Sequence, residues 1–208
     1  MTPEDEVRLP QAGSERLTRQ LAFFLEADRL KTVLRRTLAA GASRRENAAE
    51  HSWHLVLMAL LLYEHAAEPK PDLARALKML VVHDLVEIDA GDTFAYDDEA
   101  HRDKAEREER AARRLFGLLP DDQREEFYAL WKEFEERRTP EAKFAAALDR
   151  LQPMMLNYAS SGYAWRRYGV TAEQVLDRNR IIADGAPALW EFAEMLVREA
   201  VRLGWLPV

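Results

Sequence analysis

The sequence predicts an all-α protein, and three observations carry that prediction. Apolar residues recur at helical spacing through most of the chain, no run alternates at period two for long enough to be a strand, and Gly and Pro fall between the periodic stretches. No internal repeat is visible, and 208 residues are enough for a single domain with a sizeable core.

Residues 1–14 read as a flexible N-terminal tail, acidic and aperiodic with Pro3, Pro10 and Gly13, which leaves 15–208 as the folded domain. From Glu15 to about Ala40 the spacing predicts a helix whose core face is Leu17, Leu21, Phe24, Leu25 and Leu30. It carries the basic residues Arg29, Lys31, Arg35 and Arg36, followed by Arg44 and Arg45. Such a cluster is either an anion-binding wall or a solvated charged face.

Gly41-Ala42-Ser43 interrupts the pattern, and a second helix is expected over Glu46 to Ala66. His51 falls on its apolar stripe with Leu55, Met58 and Leu62, as a hydrogen-bonded core histidine or as a ligand, with His54 as an alternative ligand. His65, near the helix end, suits the macrodipole and reads as structural. Asp72 is a good N-cap after the Pro69–Pro71 turn. The helix it starts has Leu73, Leu77, Leu80 and Val81 on one face, and one more turn brings Asp84 onto that face with His83 beside it. A buried unpaired charge is costly, so a His-Asp pair turned inward implies something that binds it.

Thr93 to Asp103 reads as a loop over a pocket, Lys104 to Gly117 as a charged helix, and Pro120 to Arg137 as an amphipathic helix with Phe127, Leu130, Trp131 and Phe134 inward. Pro140 opens the helix that runs to about Ala159. In it, Asp149 lies among Phe144, Leu148, Leu151 and Met155, as an inward carboxylate or as a surface acid paired with Arg150 or Lys143. Gly162 and Gly169 frame an aromatic loop, and the last helices are expected over 171–182 and 187–203.

Composition narrows the chemistry. A formal charge of −7 argues against a nucleic-acid polymer or an anionic membrane as partner. The absence of cysteine leaves His, Asp and Glu as metal ligands and removes thiolate chemistry. The longest apolar run, Leu55 to Tyr63, is too short to span a bilayer and the N-terminus carries no signal-like core, so a cytoplasmic location is expected. His51, His83, Asp84 and Asp149 are a reasonable ligand set for one divalent ion with open positions. Adjacent His and Asp point about 100° apart on an ideal helix, so both can serve only at a frayed or terminal turn.

The order and spacing His51 … His83-Asp84 … Asp149 resembles the HD-domain metal-dependent phosphohydrolases, and the flanking text resembles their 5′-deoxynucleotidase branch. The matching pieces are Arg29-Leu30-Lys31, Glu46 to Ser52, His83-Asp84-Leu85-Val86-Glu87, Gly91-Asp92 and Ala142-Lys143-Phe144 before Asp149, so the resemblance covers about 21–159. It implies a single HD-domain helical bundle in which His51, His83, Asp84 and Asp149 hold one divalent cation (Mn²⁺, Co²⁺, Fe²⁺, Ni²⁺ or Zn²⁺), with Glu87 and Asp92 as catalytic acids. The implied reaction is hydrolysis of a small phosphomonoester such as a (deoxy)nucleoside 5′-monophosphate, with Arg35, Lys31 and Lys143 as candidate phosphate-binding residues.

One departure bears on substrate. The resembled nucleotidases carry a Trp just after the Arg before the Glu-His segment, where this chain has Arg35-Arg36-Thr37-Leu38. A two-metal oxygenase or phosphodiesterase would need more histidines between His83-Asp84 and Asp149 than His101 alone, and a non-catalytic nucleotide-binding module would predict eroded ligands, of which none is missing. Apolar excess on several helices and the Tyr163–Tyr168 aromatics point to a homodimer.

Overall fold

The computed structural model describes residues 13–41, 43–97 and 99–208. The expected tail therefore falls largely outside the described residues, while Ser14 belongs to the fold as the N-cap of the first helix, accepting from Leu17 N. In chain order the elements are α1 (Glu15–Ala27), β1 (Leu34–Leu38), β2 (Arg45–Asn47), α2 (Ala48–Leu62), α3 (Leu73–Val82), α4 (Glu87–Ala90), α5 (Lys104–Phe116) and α6 (Asp121–Glu136). There follow α7 (Pro140–Ala159), α8 (Tyr163–Tyr168), α9 (Ala172–Asn179), α10 (Ile182–Gly185) and α11 (Pro187–Arg202). The protein is a helical bundle with one small hairpin.

That hairpin is the main departure from expectation. The helix predicted to reach Ala40 ends at Ala27, continues as a 3₁₀ turn over Asp28–Thr32, and then becomes β1, which pairs antiparallel with β2. Val33 and Thr37 favour the extended chain, and a left-handed Gly41 turns it. Strands of five and three residues are too short to display a period of two. The Val33 carbonyl accepts from Ala48 N, which ties the hairpin to the start of α2.

The core face proposed for α1 is also corrected. Leu17, Leu21, Phe24 and Leu25 are exposed and Phe23 is buried in their place, because α1 touches the bundle along a narrow strip near α5, while Leu30 is buried as expected. On α3, Leu80 is buried and Leu73 and Leu77 pack against the core as expected, but Val81 points outward, and Ala76, Met79 and Val82 are buried. The segment read as an aromatic loop is the short helix α8, whose Trp165 closes the protomer's own core.

The central scaffold is α7, packed against α2, α3, α6, α10 and α11. Thr139 caps it and Pro140 occupies its first turn, where a missing N–H costs nothing. The run of small residues Ala145, Ala146 and Ala147 is fully packed. A Cβ at Gly185 would collide with the Lys143 carbonyl, so α10 meets α7 backbone to backbone. Among the described residues no helix is long and apolar enough to cross a membrane.

Candidate metal centre and active-site cavity

Three elements of the core bring the inward histidines and acids together. Asn47 caps α2 through a reciprocal capping box with Glu50, which starts the helix one turn before His51 and buries that imidazole completely. The α3 helix ends at Val82, and His83–Val86 continues as a 3₁₀ turn. This terminal turn lets both His83 and Asp84 face inward, as the adjacency of the two residues requires. Asp149 reaches the same point from the middle of α7.

His51 Nε2 lies 3.0 Å from Asp149 Oδ1 and 3.9 Å from Asp84 Oδ2. His83 Nε2 lies 3.1 Å from Asp84 Oδ1 and 4.0 Å from Asp149 Oδ1. One donor atom from each of His51, His83 and Asp149 falls within 4.8 Å of the others, and Asp84 borders the group.

The hydrogen bonds behind the imidazoles decide what those donors offer. Gln152 donates through Nε2 to Glu46 Oε1 at 2.7 Å and so presents its Oε1 to His51 Nδ1, 3.1 Å away. His83 Nδ1 donates to the Leu80 carbonyl at 2.9 Å. Both rings therefore carry their proton on Nδ1 and turn a bare Nε2 lone pair toward the carboxylates. Lone pairs facing carboxylate oxygens call for a cation between them, and His83 Nε2 is buried without a hydrogen-bond partner. The separations of 3.0 and 3.1 Å also match neighbouring ligands on an ion with bonds of about 2.1 Å. The residues present fit a divalent metal.

Burial alone would raise the Asp149 carboxyl, but its close contact with His51 and the positive charge of Arg150 outweigh it and hold Asp149 well below the usual carboxylate range. Glu87 behaves in the opposite way. Burial and the neighbouring Asp84 push it well above its ordinary value, against the pull of Arg35, and its Oε2 has no hydrogen-bond partner. Asp92 is raised for the same leading reason, burial, opposed by Arg35.

These groups open on a cavity of about 420 Å³, within the range for a small-molecule site. Arg35, Asp84, Glu87, Asp92 and Asp149 line it, and the loop after α4 contributes Thr93, Phe94 and Tyr96, as expected for a segment over the pocket. Arg35 sits inside the acidic group, 3.0 Å from Asp84, 3.8 Å from Glu46 and 3.9 Å from Asp92. Two expected phosphate-binding residues do not arrive. Lys31 is exposed and paired with Asp28 in the 3₁₀ turn. Lys143 stands six residues before Asp149, about 240° around α7, and faces a separate groove near Pro69.

The N-terminal basic cluster is likewise mostly structural. Arg29 pairs with Glu26, Arg44 with Glu50, and Arg45 donates to the Leu34 and Arg35 carbonyls of the hairpin, so only Arg35 and Arg36 reach the cavity. His54 is not placed among the metal-facing groups; its Nδ1 accepts from Gln152 Nε2 at 3.2 Å. Sequence reasoning missed Glu46 and Gln152, the two buried polar residues that orient His51, although Gln152 lies one helical turn from Asp149. It also missed the basic wall formed by Arg137, Arg150 and Arg178.

A family model described as HD domain matches residues 27–190. The chain belongs to the HD-domain family. The human 5′-deoxynucleotidase HDDC2 is 31% identical over 136 residues, covering 65% of this chain and 65% of the human protein. The Bos taurus 5′-deoxynucleotidase HDDC2 is 31% identical over 147 residues, covering 68% of each chain. The match thus spans about two thirds of the length of these curated relatives. Among solved structures, a predicted metal-dependent phosphohydrolase from Magnetospirillum magnetotacticum MS-1 superposes with a TM-score of 0.90 at 50% identity, covering 96% of this chain and all of that one. A protein from Pyrococcus horikoshii OT3, at 22% identity and a TM-score of 0.60 over 88% of this chain, shares the fold.

Proposed function

We propose that this HD-domain protein is a metal-dependent phosphohydrolase that cleaves a small phosphomonoester, with a (deoxy)nucleoside 5′-monophosphate as the first substrate to test. One observation carries the reading: two buried imidazoles with bare Nε2 atoms converge with Asp149 on one point, beside an unpartnered Glu87 carboxyl oxygen. His51, His83, Asp84 and Asp149 would hold one divalent cation. When bound, such an ion withdraws charge from a phosphoryl oxygen and makes a water more acidic.

The chain's own residues do the rest. Glu87 Oε2, buried and free of other bonds, is available to accept a proton from the attacking water, and burial beside Asp84 raises the proton affinity of its carboxylate, which strengthens it as a base. Arg35 is fixed as a cation by Asp84, Glu87, Asp92 and Asp149 despite its burial, and offers its guanidinium to the phosphoryl charge. Asp92, on the cavity wall after the left-handed Gly91, accepts from a hydroxyl of the leaving alcohol. The relatives named 5′-deoxynucleotidase support the nucleotide class. The missing Trp after Arg35 leaves Phe94 and Trp165 as aromatic surfaces of the cavity.

The deciding experiment strips the protein of metal, adds back Mn²⁺, Co²⁺, Fe²⁺, Ni²⁺ or Zn²⁺ singly, and measures phosphate release from deoxy- and ribonucleoside monophosphates. Release that needs an ion and disappears in Asp84→Ala and Glu87→Ala is the expected result. No release with any ion would overturn the reading.

A cytoplasmic homodimer completes the proposal. Trp53, Leu57, Leu60 and Leu61 form an exposed apolar stripe along α2, a surface of the kind monomers rarely leave open. A dimer mass by light scattering that falls to the monomer in Leu61→Glu is expected, and a wild-type monomer at micromolar concentration would remove the claim.

A further inference from the structure

Three arginines from three different elements meet on one wall of the cavity, and the mechanism above uses none of them. Arg137 ends α6, Arg150 follows the ligand Asp149 on α7, and Arg178 projects from α9. Each has a buried Nε without a hydrogen-bond partner, and among the described residues none of the three lies within ion-pair distance of a carboxylate. What sets these three apart from unpaired arginines on the surface is that each Nε is buried inside the cavity wall. Asp149 is the carboxylate that acts on Arg150 and Arg178, and three guanidinium groups gathered near one carboxylate repel one another, the more so for being buried. Burial and the charge of Arg150, with a smaller push from Arg137, bring Arg178 down to about 10. A fold retains such a cluster where an anion supplies the missing charge.

Two local details say that the wall is built for this. The Arg178 guanidinium lies over the Tyr96 ring, 5.9 Å from its centroid, which fixes its plane while leaving its edge N–H groups free. Arg137 is a left-handed residue (φ 52°) at a helix end where glycine is the ordinary choice, so the chain accepts backbone strain there to keep an arginine at the cavity. His101 Nε2, also buried and unpartnered, belongs to the same cavity.

Geometry separates this wall from the metal centre. Arg35 lies within 4 Å of Asp84 and Asp92, whereas among the described residues none of Arg137, Arg150 and Arg178 comes that close to a metal-facing carboxylate. A phosphoryl group at the metal end is already served by the ion and Arg35. Arg150 and Asp149 line the same cavity of about 420 Å³, so an anion on the trio and the reacting phosphoryl fall within the compass of one small substrate.

We propose that Arg137, Arg150 and Arg178 form a second anion subsite of the cavity, which holds an additional phosphoryl group on the substrate. The preferred substrate class is then a bisphosphorylated phosphomonoester. The inference rests on the phosphohydrolase reading and specifies its substrate.

The test has two arms. In the first, inorganic phosphate is titrated into the metal-free protein by calorimetry. Wild type is expected to bind it in a salt-dependent manner, and Arg178→Gln and Arg150→Gln to weaken it at least tenfold, whereas Lys31→Gln has no effect. Absent binding, or binding unchanged in both arginine variants, would overturn the subsite. In the second, kcat/KM of the metal-loaded protein is compared for deoxyadenosine 5′-monophosphate and deoxyadenosine 3′,5′-bisphosphate. The bisphosphate is expected to be preferred at least tenfold, with the ratio collapsing toward one in Arg178→Gln and partly restored in Arg178→Lys. Hydrolysis of the monophosphate without a bisphosphate preference overturns the substrate class and leaves the phosphohydrolase standing. Hydrolysis of neither, with any ion, overturns the phosphohydrolase and the substrate class together.

Discussion

Gln152 presents its Oε1 to His51 Nδ1 at 3.1 Å because its Nε2 is engaged by Glu46 Oε1 at 2.7 Å. A buried carboxylate on β2 thus sets the tautomer of an imidazole on α2 through an amide on α7, and the bare Nε2 that results is what the metal centre needs.

Gln152→Leu removes that relay without touching a ligand. His51 loses its orienting acceptor, and Glu46 loses a donor within a buried site. We expect the affinity for Mn²⁺ to fall about 10–100-fold, as for other substitutions behind a ligating imidazole. Calorimetric titration of the metal-free variant measures it. Unchanged affinity would mean that packing alone orients the His51 ring.

Metal binding should also register as stability. The ligands come from α2, the turn after α3, and α7, so an ion that joins them binds the folded chain and not the unfolded one. At a hundredfold excess over Kd the gain is about 2.7 kcal/mol, which for a domain of this size raises Tm by roughly 5–10 °C. Thermal melts with and without Mn²⁺ measure the shift, and Asp149→Ala should abolish it.

Glu87 gives the metal-free protein a distinctive pH dependence. Its folded-state value is raised, by burial first and Asp84 second, so the folded state holds the proton more tightly than the unfolded chain does. The stability this contributes is complete below the ordinary glutamate value of about 4.3 and is lost as pH rises through the raised folded value. Glu87→Gln removes the penalty. It should raise the Tm of the metal-free protein at pH 7 by a few degrees while lowering phosphate release about 10²–10⁴-fold. A variant less stable than wild type at pH 7 would contradict the assignment.

How far the sequence revealed this molecule follows from which residues signal locally. The inward set His51, His83, Asp84 and Asp149 was legible because each interrupts an apolar stripe, and a polar residue there needs a reason. The caps at Asp72 and Thr139 to Pro140 follow local rules and fall at helix starts, Asp72 as expected. The hairpin was illegible because its strands are held by pairing to each other and by Val33 to Ala48, contacts with no periodic trace. Lys31 was misassigned because charge on a sequence says nothing about the partner it finds, here Asp28. The basic wall was invisible for a related reason: Arg137, Arg150 and Arg178 stand 13 and 28 residues apart, and only the packing of α7 against its neighbours assembles them.

The closest approach of α10 to α7 offers a test of the scaffold itself. Gly185 has no room for a side chain, since an added Cβ would enter the Lys143 carbonyl and crowd Phe144 N at 2.8 Å. Both obstacles are backbone atoms within a helix, so neither can rotate away, and relief requires α10 to shift along α7. Gly185→Ala should therefore cost about 1–3 kcal/mol by overpacking, lowering Tm by several degrees. Asp149 lies six residues further along α7, beyond one turn, and the metal ligands need not move with α10. The Mn²⁺-induced rise in Tm should accordingly persist in Gly185→Ala, although both melts start lower. Loss of that rise would instead mean that the seating of α10 sets the position of Asp149, and that the metal centre depends on the whole α7 contact face.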